Sequence, residues 1–365
     1  MAETAAPALK EIFNEQRFRS VAKDLSAIHP SFDSKQFLAA SLKDLKDLSL
    51  LQRLRRMTES LHATLPANYR KAIGILRKLI PRIDRGFVTL VCSDYVGLYG
   101  HDDFDTSMDA LKFFTAFGSS EFAIREFLRR DLPRTLAVME TWSRDPDEHV
   151  RRLASEGCRP RLPWSFKLDS LIADPSPVVP ILENLREDPS LYVRKSVANH
   201  LNDITKAHPD WVLDRLQNWP RQNPHTSWIA RHALRTLIKK GNQRALHLTG
   251  ATGNPEVQVH HFTVQPRKIR LGDRLTFSFQ LSSTASRSQR LVVDYAVHYV
   301  KKSGTASAKV FKWKGLSLAP GETITLSRTQ VIQDFTTRTH HPGRHEIDIL
   351  VNGERLARAF FDLSR

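Results

Sequence analysis

Two stretches of the sequence match each other at a constant offset of 43 residues. Residues 137–154 read AVMETWSRDPDEHVRRLA, and residues 180–197 read PILENLREDPSLYVRKSV. Each has a helix-like segment on either side of an Asp-Pro pair, and a degenerate third copy follows at Asn223-Pro224. Helix pairs that repeat every ~40–47 residues are typical of HEAT-type repeats, which stack into a curved solenoid with one extended concave face. The repeat therefore predicts an α-solenoid for the middle of the chain.

The sequence around the repeat is also helical in pattern, up to about Gly250. Apolar residues recur at spacings of three and four, which places them on one face of a helix. The clearest examples are Leu50, Leu51, Leu54, Met57 and Leu61, followed by Ile73, Leu76, Leu79 and Ile80. We therefore expect residues 1–250 to form a HEAT-like helical domain.

A turn-rich segment, GATGNP at 250–255, leads into a different pattern. Short runs of strand character follow, such as LTFSFQL at 275–281, and Asn352-Gly353 is a strong hairpin signal. Seven such runs fit an immunoglobulin-like β-sandwich, here without an inter-sheet cysteine pair. The predicted strands are 257–264, 274–281, 290–300, 309–313, 323–332, 344–351 and 355–362. We therefore predict a hinge at 251–256 and a sandwich at 257–365, an all-α part followed by an all-β part.

The chain of 365 residues is strongly basic, with a formal net charge of +16 and a pI near 10.0. Its length predicts two or three domains, and its 41% hydrophobic content is enough for folded cores. Residues 257–365 hold 17 Lys and Arg against eight Asp and Glu, a net +9, which leaves +7 for the rest. Such an excess attracts polyanions and promotes nucleic-acid binding through counterion release.

The cysteine content and the first residues of the chain indicate the cellular compartment in which the protein works. Cys92 and Cys158 are the only cysteines, with no CxxC pair and no histidine at zinc-ligand spacing. A disulfide scaffold and a structural zinc site are therefore disfavoured, and a reducing cytosol fits. The start, MAETAAPALKEIF, lacks the pattern of a leader or lipidation signal, and no window reaches 18 apolar residues. We expect a cytoplasmic protein without a membrane segment, metal or cofactor.

Basic residues recur at equivalent positions on the second helices of the repeats. Stacking of the repeats would align them into a stripe that suits a phosphate backbone. A solvated, salt-bridged helix face explains the same pattern equally well. The residues are Arg151 and Arg152, Arg194 and Lys195, and Arg231 and Arg235.

Three acids stand out against this basic background. Glu121 follows Ser119-Ser120, which predicts a place in the first turn of a helix, where a capping role is the simpler interpretation. Glu156 follows a helix arginine by four residues, the spacing of an ordinary ion pair. Asp203 lies four residues after Asn199, the repeat equivalent of Glu156, so the two acids approach one surface from successive repeats. Carboxylates are poor phosphate ligands, so their presence in a cationic groove requires another role.

Trp164 lies in the segment RPRLPWS at 159–165, a proline-interrupted connection too irregular for a helix. A tryptophan on a basic loop can stack on a base or a cation, a contact worth about 0.5–2 kcal/mol. Packing of one repeat against the next is the simpler alternative. The other tryptophans expected in the helical domain's core are Trp142, Trp211, Trp219 and Trp228.

The stretches SSEFAIREF (119–127), RPRLPW (159–164) and VRKSVANHLND (193–203) carry a family resemblance. With the rest of the chain, they resemble the AlkC branch of the AlkC/AlkD bacterial DNA glycosylases. The resemblance implies excision of N-alkylated bases such as 3-methyladenine from duplex DNA, without extrusion of the base into a pocket. In the AlkD relatives a tryptophan occupies the position of Asn199, which leaves Trp164 as the aromatic at the site.

The implied chemistry agrees with the residue types. A 3-methylated adenine is cationic and leaves readily, while positive charge develops on the deoxyribose as the bond breaks. Carboxylates can stabilise that charge, and one can orient the attacking water. The resemblance therefore implies Glu121, Glu156, Trp164 and Asp203 as catalytic residues, with hydrolysis favoured over lyase chemistry.

We expect a monomer that binds double-stranded DNA, with the sandwich closing around the duplex and its cations in turns between strands. The expected DNA-binding residues are Arg152, Arg159, Arg161, Arg194, Lys195, Asn199, Arg231, Arg235, Arg267, Lys268, Arg270, Lys301, Lys302, Arg338 and Arg344. A noncatalytic scaffold that holds nucleic acid or a protein is the alternative that the fold alone permits.

Overall fold

The computed structural model describes residues 8–251, 254–335 and 338–365. Residues 1–7 of the predicted helical domain and residues 252 and 253 of the predicted hinge lie outside these ranges. The described residues form helices followed by strands, in the order that the sequence predicts. The α-helices are α1 Glu15–Ile28, α2 Ser34–Leu42, α3 Leu50–Thr64, α4 Tyr69–Leu79, α5 Leu90–Tyr99, α6 Phe104–Phe114, α7 Ile124–Arg130, α8 Leu132–Trp142, α9 Glu148–Glu156, α10 Asp169–Ala173, α11 Val179–Asn184, α12 Leu191–Ile204, α13 Pro209–Gln217, α14 Pro224–Ala233, α15 Arg235–Lys239 and α16 Gln243–Leu248.

The predicted apolar faces point into the helical core. In α3, Leu54, Met57 and Leu61 are buried, although Leu51 in the first turn is exposed. In α4 the buried side chains include Ile73 and Leu76. A capping box between Ser49 and Gln52 defines the start of α3, which fixes where its apolar face begins.

The two matching stretches form the helix pairs α8–α9 and α11–α12, and α9 packs against α12. In the first pair, Arg151 donates to both carbonyl oxygens of the Asp145-Pro146 turn, at 2.9 and 2.8 Å. In the second pair, Arg194 donates to both carbonyl oxygens of the Asp188-Pro189 turn, at 2.8 and 2.7 Å. The offset of 43 therefore marks true structural equivalence, and HEAT-like repeats are confirmed.

These contacts correct part of the predicted cation stripe. The guanidinium groups of Arg151 and Arg194 are bound to turn carbonyls, and Arg151 also forms an ion pair of 2.7 Å with Asp188. Of each predicted pair, the first arginine therefore stabilises its own repeat. At these two positions the contacts favour a structural role, in line with the alternative to a phosphate-binding stripe.

Two of the four tryptophans expected in the core lie there. Trp142 and Trp219 are buried. Trp211 and Trp228 are only half-buried, and each lies beneath a guanidinium, Arg215 at 4.7 Å and Arg194 at 5.8 Å from the ring centroid. Their placement in the core was wrong because a helical pattern does not distinguish burial from stacking under a long basic side chain.

The strands form two sheets. Their bounds are β1 Val257–Gln265, β2 Lys268–Arg270, β3 Arg274–Ser283, β4 Gln289–Val300, β5 Ala306–Leu318, β6 Thr323–Val331, β7 Gly343–Val351 and β8 Glu354–Ser364. One sheet has the order β1-β3-β6 and the other the order β2-β8-β7-β4-β5. β2 pairs with β8 in parallel, and the other pairings are antiparallel. The core between them includes Phe277, Phe279, Tyr295, Ile347 and Phe361.

All seven predicted strands are present, and the chain turns from β7 into β8 at Asn352-Gly353, where φ is +48° and +81°. The three-residue β2 was missed, because only its pairing with the distant β8 defines it. Three cations expected in turns lie in strands instead. Lys268 and Arg270 belong to the missed β2, and Arg344 belongs to β7, whose predicted range already began at this residue.

The chain divides into two compact units. The first extends to Ala207 and includes Asn223–Ile229, and the second comprises His208–Gln222 and Ala230–Arg365. The second unit therefore contains α13, α15 and α16 in addition to the sandwich. The boundaries 1–250, 251–256 and 257–365 separate the chain by secondary structure, and we retain them as a proposal. Within the described ranges, none of the helices combines the length and apolar character that a membrane crossing requires.

Candidate active site

A cavity of about 480 Å³ in the first unit collects three of the four residues predicted to be catalytic. We call it the Trp164 cavity. Its polar and aromatic lining includes Glu121, Arg152, Glu156, Arg159, Trp164 and Tyr192.

Glu121 lies in a turn before α7, which begins at Ile124, rather than in the first turn of that helix. The sequence places the helix start three residues too early because the polar Ser119-Ser120 pair initiates a turn first. The hydroxyl of Ser119 donates to Glu121 Oε2 at 2.9 Å, and Arg152 forms an ion pair with the same carboxylate. Glu121 is therefore held by side chains at the edge of the cavity.

Acidic and basic side chains alternate in a series of ion pairs that begins at Glu121 in the cavity wall and continues behind it. Arg152 contacts Glu156 Oε1 at 3.5 Å, and Arg159 contacts the same oxygen at 2.6 Å. Arg159 also contacts Asp203 Oδ2 at 2.9 Å, and Lys206 contacts Asp203 Oδ1 at 2.8 Å. We call this set the acid–base ladder; its members are Glu121, Arg152, Glu156, Arg159, Asp203 and Lys206.

The two arginines of the ladder are largely removed from solvent. Burial alone lowers the pKa of Arg152, but the charges of Glu121 and Glu156 outweigh it and raise that pKa above its ordinary value. For Arg159, burial likewise opposes the charges of Glu156 and Asp203, and the net effect is again a raised pKa. Three carboxylates and three cations therefore alternate, and their formal charges cancel.

Asp203 lies behind Arg159 and does not line the Trp164 cavity. Only 4% of its surface is exposed, and its two oxygens contact Arg159 and Lys206. The sequence correctly predicts that Glu156 and Asp203 come together from successive repeats. The structure adds that Arg159 joins them.

Trp164 is 65% exposed, the highest value among the large hydrophobic side chains that the structure describes. Its backbone has φ +64°, a left-handed conformation that costs a bulky residue energy and requires support from the surroundings. Its ring meets Phe87 edge-on, with centroids 6.1 Å apart. The simpler alternative, in which Trp164 packs one repeat against the next, was wrong because the ring faces the cavity and solvent.

Arg125 supplies support for this loop. It is fully buried and donates to the carbonyl oxygens of Gly157 (3.0 Å), Arg159 (2.7 Å) and Phe166. Burial lowers its pKa to about 10. The sequence does not reveal the role of Arg125, because its contacts lie 32 to 41 positions further along the chain.

Tyr192 is a second aromatic residue of the cavity, and it is not among the residues that the sequence predicts for the site. It is 38% exposed, and the guanidinium of Arg152 lies 5.0 Å from its ring centroid. Burial raises the pKa of the phenol, so the hydroxyl stays protonated at neutral pH. The available signal was its repeat equivalence to His149, whose ring it contacts at 5.6 Å.

The predicted DNA-binding residues fall into distinct settings. In the first unit, Arg152, Arg159 and Arg194 are bound by other groups, whereas Lys195 is exposed and Asn199 and Arg161 are half-buried. In the second unit most of the predicted cations are exposed to solvent. Those exposed are Arg231, Arg235, Arg267, Lys268, Arg270, Lys301, Lys302 and Arg344, and Arg338 is half-buried.

Two of these cations, Arg344 and Arg267, lie over the aromatic ring of Phe360 on the sandwich. Arg344 lies 4.0 Å and Arg267 lies 5.4 Å from its ring centroid. Arg344 also contacts Asp362 at 3.2 Å, so part of its charge is compensated. Among the described residues, no group of three or more His, Cys, Asp and Glu side chains could hold a metal ion.

Two family models match this chain, and together they indicate the class of protein to which it belongs. Residues 110–237 match the family model described as DNA alkylation repair enzyme. Residues 258–365 match the model described as the C-terminal Ig-like domain of uncharacterised protein YhaZ. The first match contains every member of the acid–base ladder. The second confirms an immunoglobulin-like sandwich.

Two similar proteins define the family more closely. The chain is 44% identical to uncharacterized protein YhaZ of Bacillus subtilis (strain 168), over 95% of this chain and 96% of that protein. It is 56% identical to the alkylpurine DNA glycosylase AlkC of Pseudomonas fluorescens, in a structure bound to DNA containing an abasic site analog. That similarity covers 98% of this chain and 100% of the other, with a TM-score of 0.96. The chain therefore belongs to the AlkC family of alkylpurine DNA glycosylases.

Proposed function

We propose that this protein hydrolyses the N-glycosidic bond of cationic alkylated purines, such as 3-methyladenine, in duplex DNA. The observation that carries the proposal is the Trp164 cavity, where Glu121 and Glu156 lie beside an exposed tryptophan. A pair of carboxylates next to an aromatic face suits a sugar that becomes cationic.

The reaction needs little acid catalysis. The bond between C1′ of the deoxyribose and N9 of the alkylated adenine breaks with its electron pair passing to the base, which thereby loses its positive charge. Charge develops on the sugar, where Glu121 and Glu156 stabilise it electrostatically. A water oxygen then bonds to C1′, and one of these carboxylates accepts the water proton. The products are a free base and an abasic site.

The two aromatic residues have complementary roles in this proposal. Trp164 presses its electron-rich face towards the developing cation, and its exposure leaves it accessible to a nucleotide in a duplex. The neutral phenol of Tyr192 donates a hydrogen bond to DNA. The duplex is bent to bring the lesion to the cavity, and the base is not extruded into a pocket.

Asp203 acts through Arg159 in this arrangement and is a positioning residue. Its carboxylate fixes the guanidinium that contacts Glu156 Oε1 at 2.6 Å. Glu156 is consequently oriented from a repeat that does not itself line the cavity. The exposed cations of the second unit bind the DNA backbone, and the protein works as a monomer in the bacterial cytoplasm.

The proposal is tested with a DNA duplex that carries 3-methyladenine and an otherwise identical unmodified duplex. Chromatography should detect free 3-methyladenine from the first and no free base from the second. The strand should stay intact until alkali is added, because hydrolysis leaves an abasic site uncleaved. Binding of the modified duplex without release of base would support a noncatalytic scaffold instead.

A further inference from the structure

The second unit contains a small cavity whose lining is dominated by cations. Its volume is about 130 Å³, and its walls come from the end of α14, α15, the segment after α16 and the neighbouring strands β4 and β5. Five basic side chains and one acid line it: Arg231, Arg235, Lys239, Arg290, Lys312 and Asp294. We call this the cationic cavity.

The cations of this cavity can be compared with Arg244 of α16 in the same unit. Arg244 contacts both Asp210 and Asp214. Within the described ranges, Arg231, Lys239 and Lys312 take part in no ion pair. Their charges therefore remain available to an anion.

Like charges are crowded at this cavity. Burial and the charge of Arg290 both lower the pKa of Arg231. The Arg290 guanidinium also lies close to Gly250. If this residue carried a Cβ atom, that atom would be 3.3 Å from Nη1 of Arg290. Holding cations together without an anion costs electrostatic energy, and an oxyanion bound among them would offset that cost.

Asp294, the acid in the lining of the cationic cavity, already interacts with neighbouring groups. Asp294 is 3% exposed, and burial raises its pKa, while a backbone hydrogen bond from Trp313 and the charges of Lys239 and Lys312 oppose that effect. Asp294 alone cannot balance Arg231, Lys239 and Lys312, the three cations of the lining that form no ion pair within the described ranges. Even with Asp294 ionised, the formal charge of the lining is +4.

We propose that the cationic cavity binds a phosphate oxyanion, and that its ligand is a phosphodiester group of the DNA backbone. A single phosphate group suits both the volume of about 130 Å³ and the charge of the cavity. The choice of DNA as the source rests on the proposed function. The site would hold the duplex through its backbone, independently of the damaged base.

The test uses the full-length protein and an unmodified duplex, so it is independent of base excision. Lys312→Gln should weaken duplex binding about tenfold at low salt, as expected for one lost hydrogen bond to a charged group. It should also reduce the slope of log affinity against log salt by about one. Lys35→Gln, which removes an exposed lysine of α2, is the control for bulk charge.

A second arm identifies the source of the phosphate. Isothermal titration with inorganic phosphate and with pyrophosphate compares the wild type with Lys312→Gln. An unchanged DNA curve combined with loss of pyrophosphate binding would assign the site to a free phosphate compound. Equal effects of Lys312→Gln and Lys35→Gln on DNA, or no effect in either arm, would overturn the proposal. Failure of the wild type to release a methylated base would count against the proposed function alone.

Discussion

Arg159 and Asp203 are joined by two nitrogen-to-oxygen contacts of 2.9 Å, although 44 positions separate them in the chain. Both side chains are buried, and the contact connects the loop that carries Trp164 to α12 of the next repeat. The active-site loop is therefore positioned by an ion pair between repeats. Breaking one partner of such a buried pair is costly, because it leaves an uncompensated charge.

Asp203→Asn should lower the single-turnover excision rate by about tenfold to a hundredfold, because Arg159 would no longer be fixed beside Glu156. The affinity for damaged DNA should change by less than about threefold. Asp188→Asn is a matched control, since Asp188 is also buried and paired with an arginine but lies outside the cavity. If Asp203 acts through Glu156, Asp203→Asn combined with Glu156→Gln should be less than additive.

Glu121→Gln should lower the single-turnover rate by about a hundredfold or more, because the variant keeps the shape of the side chain and removes the charge that we propose stabilises the cationic sugar. Glu140→Gln removes an equivalent charge from a surface pair with Arg144 and serves as its control. Rapid-quench measurement of released base would separate rate from binding. Equal losses of rate and affinity in Glu121→Gln would argue against a transition-state role.

Trp164→Ala should reduce the excision rate strongly while changing the free energy of unfolding by no more than about 0.5 kcal/mol, because the side chain is mostly exposed. Trp164→Phe should restore much of the rate, since it returns an aromatic face. Both variants retain a Cβ atom at φ +64°, so they carry the same backbone strain. Urea denaturation and single-turnover kinetics give the two quantities, and equal rates for the two variants would exclude a role for the ring.

Arg125→Met should lower both the free energy of unfolding and the excision rate of the folded protein, because the carbonyls of Gly157, Arg159 and Phe166 would lose their shared donor. Arg53→Met tests whether this effect is specific. Arg53 is another buried arginine bound to backbone carbonyls, and it should affect stability only. A double variant with Trp164→Ala should be less than additive in rate if Arg125 acts on the Trp164 loop.

Stability should fall as the pH decreases below about 6.5, in part because of His200. Burial, with a smaller contribution from Arg159, lowers the pKa of this histidine to about 3. Between these values the unfolded chain binds a proton that the folded protein does not, so the free energy of unfolding decreases by about 1.4 kcal/mol per pH unit. Urea titrations from pH 7 to pH 4 should show a shallower dependence for His200→Gln than for His247→Gln, which changes an exposed histidine. Identical slopes would contradict the assignment.

Much of the fold follows from local patterns. The match between residues 137–154 and 180–197 identified equivalent helices, and Arg151 and Arg194 proved to have the same contacts. Most strands were equally predictable, because the alternation of apolar and polar residues and the Asn352-Gly353 turn are local signals. β2 was not predictable, since its three residues become a strand only through pairing with β8.

The site was predictable in its residue types and less so in its connections. Glu121, Glu156 and Trp164 meet in one cavity, as the sequence and its family resemblance indicate. Arg159, for which a DNA contact stays a prediction, also joins Glu156 and Asp203, and the sequence does not reveal this link because the two acids come from different repeats. Arg125 gave no signal in the sequence, and Tyr192 gave only its repeat equivalence to His149, so tertiary contacts are needed to place both in the site.

The acid–base ladder separates two responses of the protein to ionic strength. At about 0.15 M salt the Debye length is ~8 Å, so exposed cations that attract DNA are strongly screened, whereas buried pairs are screened much less. Glu156, Arg159 and Asp203 at the centre of the ladder are buried, and the six charges of the ladder sum to zero. Rising salt should therefore weaken capture of the duplex and leave the rate of bond cleavage, once the duplex is bound, almost unchanged.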